Sequence, residues 1–156
     1  MKIGDSFPKI EFTNQYGKFI DFEKNIGNTR MVFFFYPKDF TPGCTKEACG
    51  FRDNYDAFEK LNCKVYGVSS DSEKRHLLFA KKFKLNFDLI TDSGNHLATL
   101  FKVKRNLFGL IPGRVTFIFD EKGTCQGSFN SMRDAEGHIK YALNCLEGLT
   151  TRSGHL

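Results

Sequence analysis

The chain has 156 residues, 40% of them hydrophobic and 26% charged, proportions that exclude disordered and fibrous classes and suffice to close a core. Its net charge of +5 arises from 23 basic against 18 acidic residues. The basic residues are scattered, with the densest cluster, KKFK at 81–84, interleaved as on a solvated helix face, so nucleic acid is not an expected partner.

From the N-terminus, MKIGDSFPKI lacks the apolar stretch of a signal peptide, and the chain is expected to stay soluble in the cytoplasm. Residues 10–22, IEFTNQYGKFIDF, alternate on both sides of Asn14–Gly17 and predict a hairpin. RMVFFFYP at 30–37 is a continuous, aromatic-rich run ended by Pro37. It predicts a central strand covered on both faces and is far too short to span a membrane. A helical stripe of Ala48, Phe51, Tyr55, Phe58 and Leu61 predicts one helix from Pro42 to about Leu61.

KVYGVSS at 64–70 reads as a second buried strand. Ser72–Phe83 reads as a helix with Leu78 and Phe79 inward, and FDLITD as a further strand or extended segment. A short helix at 95–103 carries Leu97, Leu100 and Phe101. RVTFIFD at 114–120 and TCQGSF pair across a turn at Lys122–Gly123. The last helix, about 134–149, buries Ile139, Ala142, Leu143, Leu146 and Leu149. A hairpin followed by alternating strands and helices and a closing hairpin predicts an α/β fold with a mixed sheet, in one domain over 1–156.

Five cysteines, Cys44, Cys49, Cys63, Cys125 and Cys145, are odd in number and irregularly spaced, which argues against a structural disulfide framework. Cys44 stands out. Thr41 precedes Pro42 and the apolar stripe as a natural N-cap with proline at the first helical position. Cys44 then falls in the first turn, where free backbone N–H groups and the positive end of the helix dipole favour a thiolate. Pro37 and Pro42 rigidify the approach, and Gly43 sits between Pro42 and the cysteine.

No metal site is expected. Cys44-x4-Cys49 has no second pair, and His76, His96, His138 and His155 lack ligand spacing to the cysteines. His76 and His96 read as solvent-edge helix residues, and His155 as part of a frayed terminus. Cys-x-x-Cys is absent, and no histidine base can be placed beside Cys44 from sequence.

Pro37-Lys38-Asp39-Phe40-Thr41-Pro42-Gly43-Cys44 resembles the peroxiredoxin active site, and PGCTKEACGFRD resembles its peroxiredoxin Q branch, also called bacterioferritin-comigratory protein. The likeness extends to GDSFPKIEFTNQYGK, YGVSSDS and LFGLIPGRVTFIFDEKG. It implies a thioredoxin-like three-layer fold, a central mixed sheet flanked by helices with an N-terminal β-hairpin, and a thiol peroxidase. By the same resemblance Cys44 is the peroxidatic cysteine, Thr41 orients sulfur and peroxide, and Arg114 neutralises the thiolate and holds the incoming oxygen.

Cys49 takes the place of the branch's resolving cysteine, five residues on. In one regular helix, five steps separate the two Cα atoms by roughly 8.6 Å, beyond the about 4.4–6.8 Å of a disulfide, so oxidation is expected to melt the helix start around 42–50. Cys63, Cys125 and Cys145 carry no motif context. The implied partners are a peroxide and a dithiol reductant, thioredoxin or glutaredoxin, with no metal, haem, flavin or nucleotide; the expected state is a monomer or weak homodimer. Two alternatives stay open at this stage: a one-cysteine peroxidase recycled by glutaredoxin or glutathione, and a non-enzymatic thioredoxin-fold sensor or chaperone using Cys44 as a switch. Phe40, bulky before Thr41, is expected to shape the pocket mouth.

Overall fold

A computed structural model describes residues 1–105, 109 and 112–153. Leu107, Phe108, Leu110 and Ile111 of the quoted motif, and His155, lie outside the described residues. The elements are β1 (Phe12–Thr13), β2 (Phe19–Ile20), α1 (Phe22–Asn25), β3 (Arg30–Phe35), α2 (Pro42–Asp53), α3 (Tyr55–Lys60) and β4 (Cys63–Ser69). They continue with α4 (Glu73–Phe83), β5 (Asp88–Thr91), α5 (His96–Leu100), β6 (Val115–Phe119), β7 (Cys125–Asn130) and α6 (Ala135–Ser153).

Five strands form one sheet in the order β5-β4-β3-β6-β7. β3 pairs in parallel with β4 and antiparallel with β6, so the sheet is mixed, and the crossovers from β3 to β5 run through helices. β1 and β2 form the separate antiparallel hairpin at the N-terminus. Every residue of β3 is buried, as expected of a strand covered on both faces. Its side chains divide with period two. Val32 and Phe34 face a core built with α2, α3, α4 and α6, while Met31, Phe33 and Phe35 face one built with Phe7, Phe22, Leu97 and Phe101.

Aromatic stacking fixes how α2 lies on the sheet. Phe34 stacks on Phe51 with centroids 4.5 Å apart and planes 16° apart, and Phe51 contacts Phe58. Gly67 on the neighbouring strand leaves the space that Phe34 uses: a Cβ there would stand 2.8 Å from the Phe34 ring. α2 also lies close to α6, because a Cβ on Gly50 would meet Ile139 at 2.8 Å.

Two expectations change. The helix from 42 to 61 is divided at Asn54, whose side-chain amide donates to the Gly50 carbonyl while its backbone leaves the helical region (φ −103°, ψ 11°). Asparagine competes for backbone groups in this way, and the apolar stripe runs on across the break. On α4 the inward positions are His76, Phe79 and Ala80, with Leu78 55% exposed and His76 wholly buried. The stripe therefore starts at the histidine and leaves Leu78 outside it. His96 is exposed, as expected.

Candidate active site

The sheet register explains why Cys44 and Arg114 meet. Phe35 pairs with Val115 at the end of the β3–β6 ladder. Arg114 therefore stands one residue beyond the ladder, at the edge where the chain leaves β3 for α2. Cys44, in the first turn of α2, is 1% exposed. The Arg114 Nη2 donates to Cys44 Sγ at 3.3 Å, Nη1 to Glu47 Oε1 at 2.7 Å, and Nε to the Met132 carbonyl at 3.1 Å. A buried guanidinium held in three directions has one orientation, and its remaining N–H groups are left for a ligand.

Gly43 makes this approach possible. A Cβ at that position would lie 3.1 Å from Arg114 Nη2, so the glycine keeps the guanidinium against the helix start. Thr41 occupies the N-cap position with extended backbone and Pro42 follows at the first helical position, but the hydroxyl forms no cap. It donates instead to the Lys38 carbonyl at 2.8 Å, bracing the loop. The first-turn N–H groups of Gly43 and Cys44 consequently have no side-chain acceptor. Pro37 is half-buried and Pro42 exposed.

Glu47, Thr116 and His138 were not singled out in the sequence as site residues. Glu47 lies three residues after Cys44, on the same helix face, and is fully buried. Burial pushes its carboxyl up to about 8, against the opposing pull of Arg114. The short contact to Arg114 does not demand a carboxylate, since a guanidinium also donates to the carbonyl oxygen of a neutral acid. Glu47 Oε2 has no hydrogen bond and faces His138 Nδ1 at 3.4 Å. His138 is neutral at physiological pH: burial lowers it to about 4, and Arg114 pushes the same way. Its Nε2 donates to the Ser131 carbonyl at 2.8 Å, and its Nδ1 accepts from the Thr116 hydroxyl at 2.8 Å. Burial also works against the charge on Arg114, but Glu47 and Cys44 beside it outweigh that and hold its pKa above the usual value.

Cys49 shares α2 with Cys44 and is half-buried. Burial pushes its thiol up; Arg52 opposes this and Asp53 adds to it. Burial likewise raises Cys63, Cys125 and Cys145. Their thiols contact the backbone carbonyls of Lys64, Gly127 and Gln126. Phe40 sits at φ 67°, and its ring packs edge-on against Phe79 and tilted to Phe83, beneath the Arg75 guanidinium 5.1 Å away. Its contacts are with α4.

A buried cysteine under a fixed guanidinium, at a strand-to-helix junction on a mixed sheet, defines a thiol peroxidase of thioredoxin-like fold. The chain belongs to the AhpC/TSA family, which it matches over residues 3–128. Its relatives place it in the peroxiredoxin Q branch. It is 41% identical over 146 residues to the chloroplastic peroxiredoxin Q of Sedum lineare, covering 94% of this chain and 78% of that one. Among solved structures, peroxidoxin BcpB from Mycobacterium tuberculosis superposes with a TM-score of 0.86 at 32% identity, covering 95% and 97% of the two chains. A PrxQ mutant from Xylella fastidiosa gives 0.87 at 29% identity, covering 96% and 98%. The protein is therefore a peroxidase of the oxidoreductase class, with peroxide as substrate and a thiol as reductant. Among the described residues, no helix is long and apolar enough to cross a membrane.

Proposed function

We propose that Cys44 is the peroxidatic cysteine and Cys49 the resolving one. The observation that carries this reading is the 3.3 Å contact between Arg114 Nη2 and Cys44 Sγ. A guanidinium at that distance stabilises the thiolate and keeps donors aimed where an O–O bond would break, so that charge developing on the leaving oxygen meets a fixed dipole. The uncapped N–H groups of Gly43 and Cys44 add to the same field.

The Cys44 thiolate attacks the terminal peroxide oxygen. The O–O bond breaks, the distal oxygen remains on sulfur as a sulfenic acid, and the other oxygen leaves as water or alcohol after taking a proton. Cys49 then displaces hydroxide from the sulfenic sulfur, forming the Cys44–Cys49 disulfide and water. Both residues lie in one unbroken helix, so α2 must unwind at its start for the bond to close. Unwinding also relieves the burial that raises the Cys49 thiol, so it favours the second nucleophile as it brings it near.

A dithiol carrier, thioredoxin before glutaredoxin, returns the disulfide to two thiols by exchange. A reducing compartment such as the cytoplasm supplies that carrier, and because the cycle closes within one chain, a monomer or weak homodimer suffices. The bacterioferritin comigratory protein of Xanthomonas campestris, 28% identical with a TM-score of 0.81, is described by its alkyl peroxide reduction activity, which supports organic hydroperoxides beside hydrogen peroxide as substrates.

The test is NADPH-coupled consumption of hydrogen peroxide and an alkyl hydroperoxide, with thioredoxin and glutaredoxin systems supplied separately. Turnover over many equivalents with thioredoxin supports the cycle. Oxidation that stops after one equivalent with either carrier would identify a switch instead.

A further inference from the structure

A second buried polar array lies on the loop that leads into α2. Asp39 is wholly buried, as are His76 and, within 1%, Tyr36. The Tyr36 hydroxyl donates to Asp39 Oδ1 at 2.5 Å, and Asp39 Oδ2 lies 2.6 Å from His76 Nδ1. The Asp39 backbone is held as well: its N–H donates to Asp71 Oδ2 at 2.8 Å and its carbonyl accepts from Arg75 Nη2 at 3.4 Å. Phe40 follows in the left-handed region, with its ring covered by Arg75 and Phe79. A phenylalanine with positive φ is strained and persists only where its surroundings impose it.

The proton count of this array is fixed by its acceptors. His76 Nε2 lies 3.1 Å from the Ile90 carbonyl, which can only accept, so Nε2 carries a hydrogen. A 2.6 Å contact between Nδ1 and a carboxyl oxygen then needs one proton between them. The pair is neutral as a unit, whether the proton is assigned to imidazole or to carboxyl. Asp39, Asp71 and His76 offer atoms within 4.8 Å of one another, as cation ligands do. A cation there would have to displace the shared proton and sit beside the Arg75 guanidinium, whose Nε is 3.2 Å from Asp71 Oδ1.

We propose that the Tyr36–Asp39–His76 array is the positioning clamp of the peroxidatic loop: it anchors residue 39 to α4, so that the chain from Phe40 onward presents Cys44 to Arg114 and the unwinding of α2 stops at Asp39. This rests on the assignment of Cys44 and Cys49 above. The clamp works on one step of the cycle. With residue 39 fixed, the sulfur is held for attack on peroxide; with it free, the helix start opens more readily and disulfide closure is not impeded. A misplacement of about 1 Å at a reacting atom can cost on the order of 100-fold in rate, so the anchor matters although it touches no substrate.

The neutral proton count makes a conservative rescue possible. In Asp39→Asn the amide donates to a neutral His76 Nδ1 and its oxygen still accepts from Tyr36, preserving both bonds and the charge. In Asp39→Ala both are lost. Rapid mixing of reduced protein with hydrogen peroxide, quenched by a thiol alkylator and read by intact mass, separates the peroxide-dependent formation of sulfenic acid from the peroxide-independent closure of the disulfide.

Asp39→Ala is expected to slow the first step about tenfold or more and to leave the second as fast or faster, with quicker hydrogen exchange over 40–46. Asp39→Asn is expected to stay within about twofold of wild type in both steps. If Asp39→Ala does not fold, Asp39→Ala/His76→Phe removes both polar partners and serves in its place. An alanine variant that keeps the wild-type first step, an asparagine variant as slow as alanine, or an equal fall in both steps overturns the clamp. Cys44→Ser is the control: peroxide consumption by that variant would refute the cysteine assignment itself, irrespective of residue 39.

Discussion

Arg114 Nη2 lies 3.3 Å from Cys44 Sγ, although the two residues are 70 positions apart in the chain. The β3–β6 register carries that contact, since Phe35 opposite Val115 brings both chain ends to one sheet edge. The guanidinium is held on its other sides by Glu47 and the Met132 carbonyl. An ammonium cannot reproduce that fork. Arg114→Lys is therefore expected to lower the second-order rate of Cys44 oxidation by about 10²–10³-fold. Stopped reactions followed by alkylation and mass measurement read that rate directly; a lysine variant within threefold of wild type would refute the role of the fork.

Gly43→Ala separates stability from activity. Alanine is the better helix residue by up to about 1 kcal/mol, so α2 should gain or hold stability. The added Cβ, 3.1 Å from Arg114 Nη2, forces the guanidinium or the helix start to give way. The oxidation rate should fall about tenfold while the thermal midpoint is unchanged or higher. A loss of both together would mean that the glycine serves the helix backbone and not the arginine.

Two buried groups give stability opposite slopes with pH. Glu47 is raised in the folded state to about 8 from 4.5, so folding binds a proton there, and stability present below pH 4.5 is lost as the pH rises towards 8. His138 is lowered to about 4 from 6.5, so its contribution is present above pH 6.5 and lost as the pH falls towards 4. Unfolding free energies from urea titrations across pH 4–9 should therefore decline on the alkaline side by up to about 1.4 kcal/mol per pH unit between 6.5 and 8. Glu47→Gln should flatten that limb. An unchanged alkaline slope in the glutamine variant would show that Glu47 is ionised in the fold.

Oxidation should be visible in α2 and little elsewhere. Amide exchange from Thr45 to Gly50 should quicken at least about tenfold in the disulfide form, while the β3 amides stay protected. Equal protection of α2 in both redox forms would contradict the unwinding required by the spacing.

Most of the frame was readable in the chain because it rests on periodicities that survive tertiary packing. The all-buried β3, the turn at Lys122–Gly123 and the Thr41–Pro42 helix start followed from the spacing of apolar residues, proline and glycine. Cys44, Arg114 and Cys49 were marked by their motifs. What escaped the sequence were polar residues on apolar faces. His76 occupies the inward position three residues before Phe79, yet a histidine beside lysines and arginine reads as solvated while Leu78 reads as core. Glu47 shares the Cys44 helix face, but a charge between apolar residues looks like the outer side until its partner, Arg114, arrives from another strand. Thr41 stands at the expected cap position, but its hydroxyl donates to the Lys38 carbonyl and accepts no first-turn N–H.

The pairing of Cys44 with Cys49 is tested most directly by disulfide mapping. Reduced protein given one equivalent of hydrogen peroxide, alkylated and digested, should yield a single Cys44–Cys49 linked peptide in wild type. Cys49→Ser should stop at a Cys44 sulfenic acid, and Cys44→Ser should consume no peroxide. A linked peptide joining Cys44 to Cys63, Cys125 or Cys145, or full thioredoxin-dependent turnover in Cys49→Ser, would contradict the account.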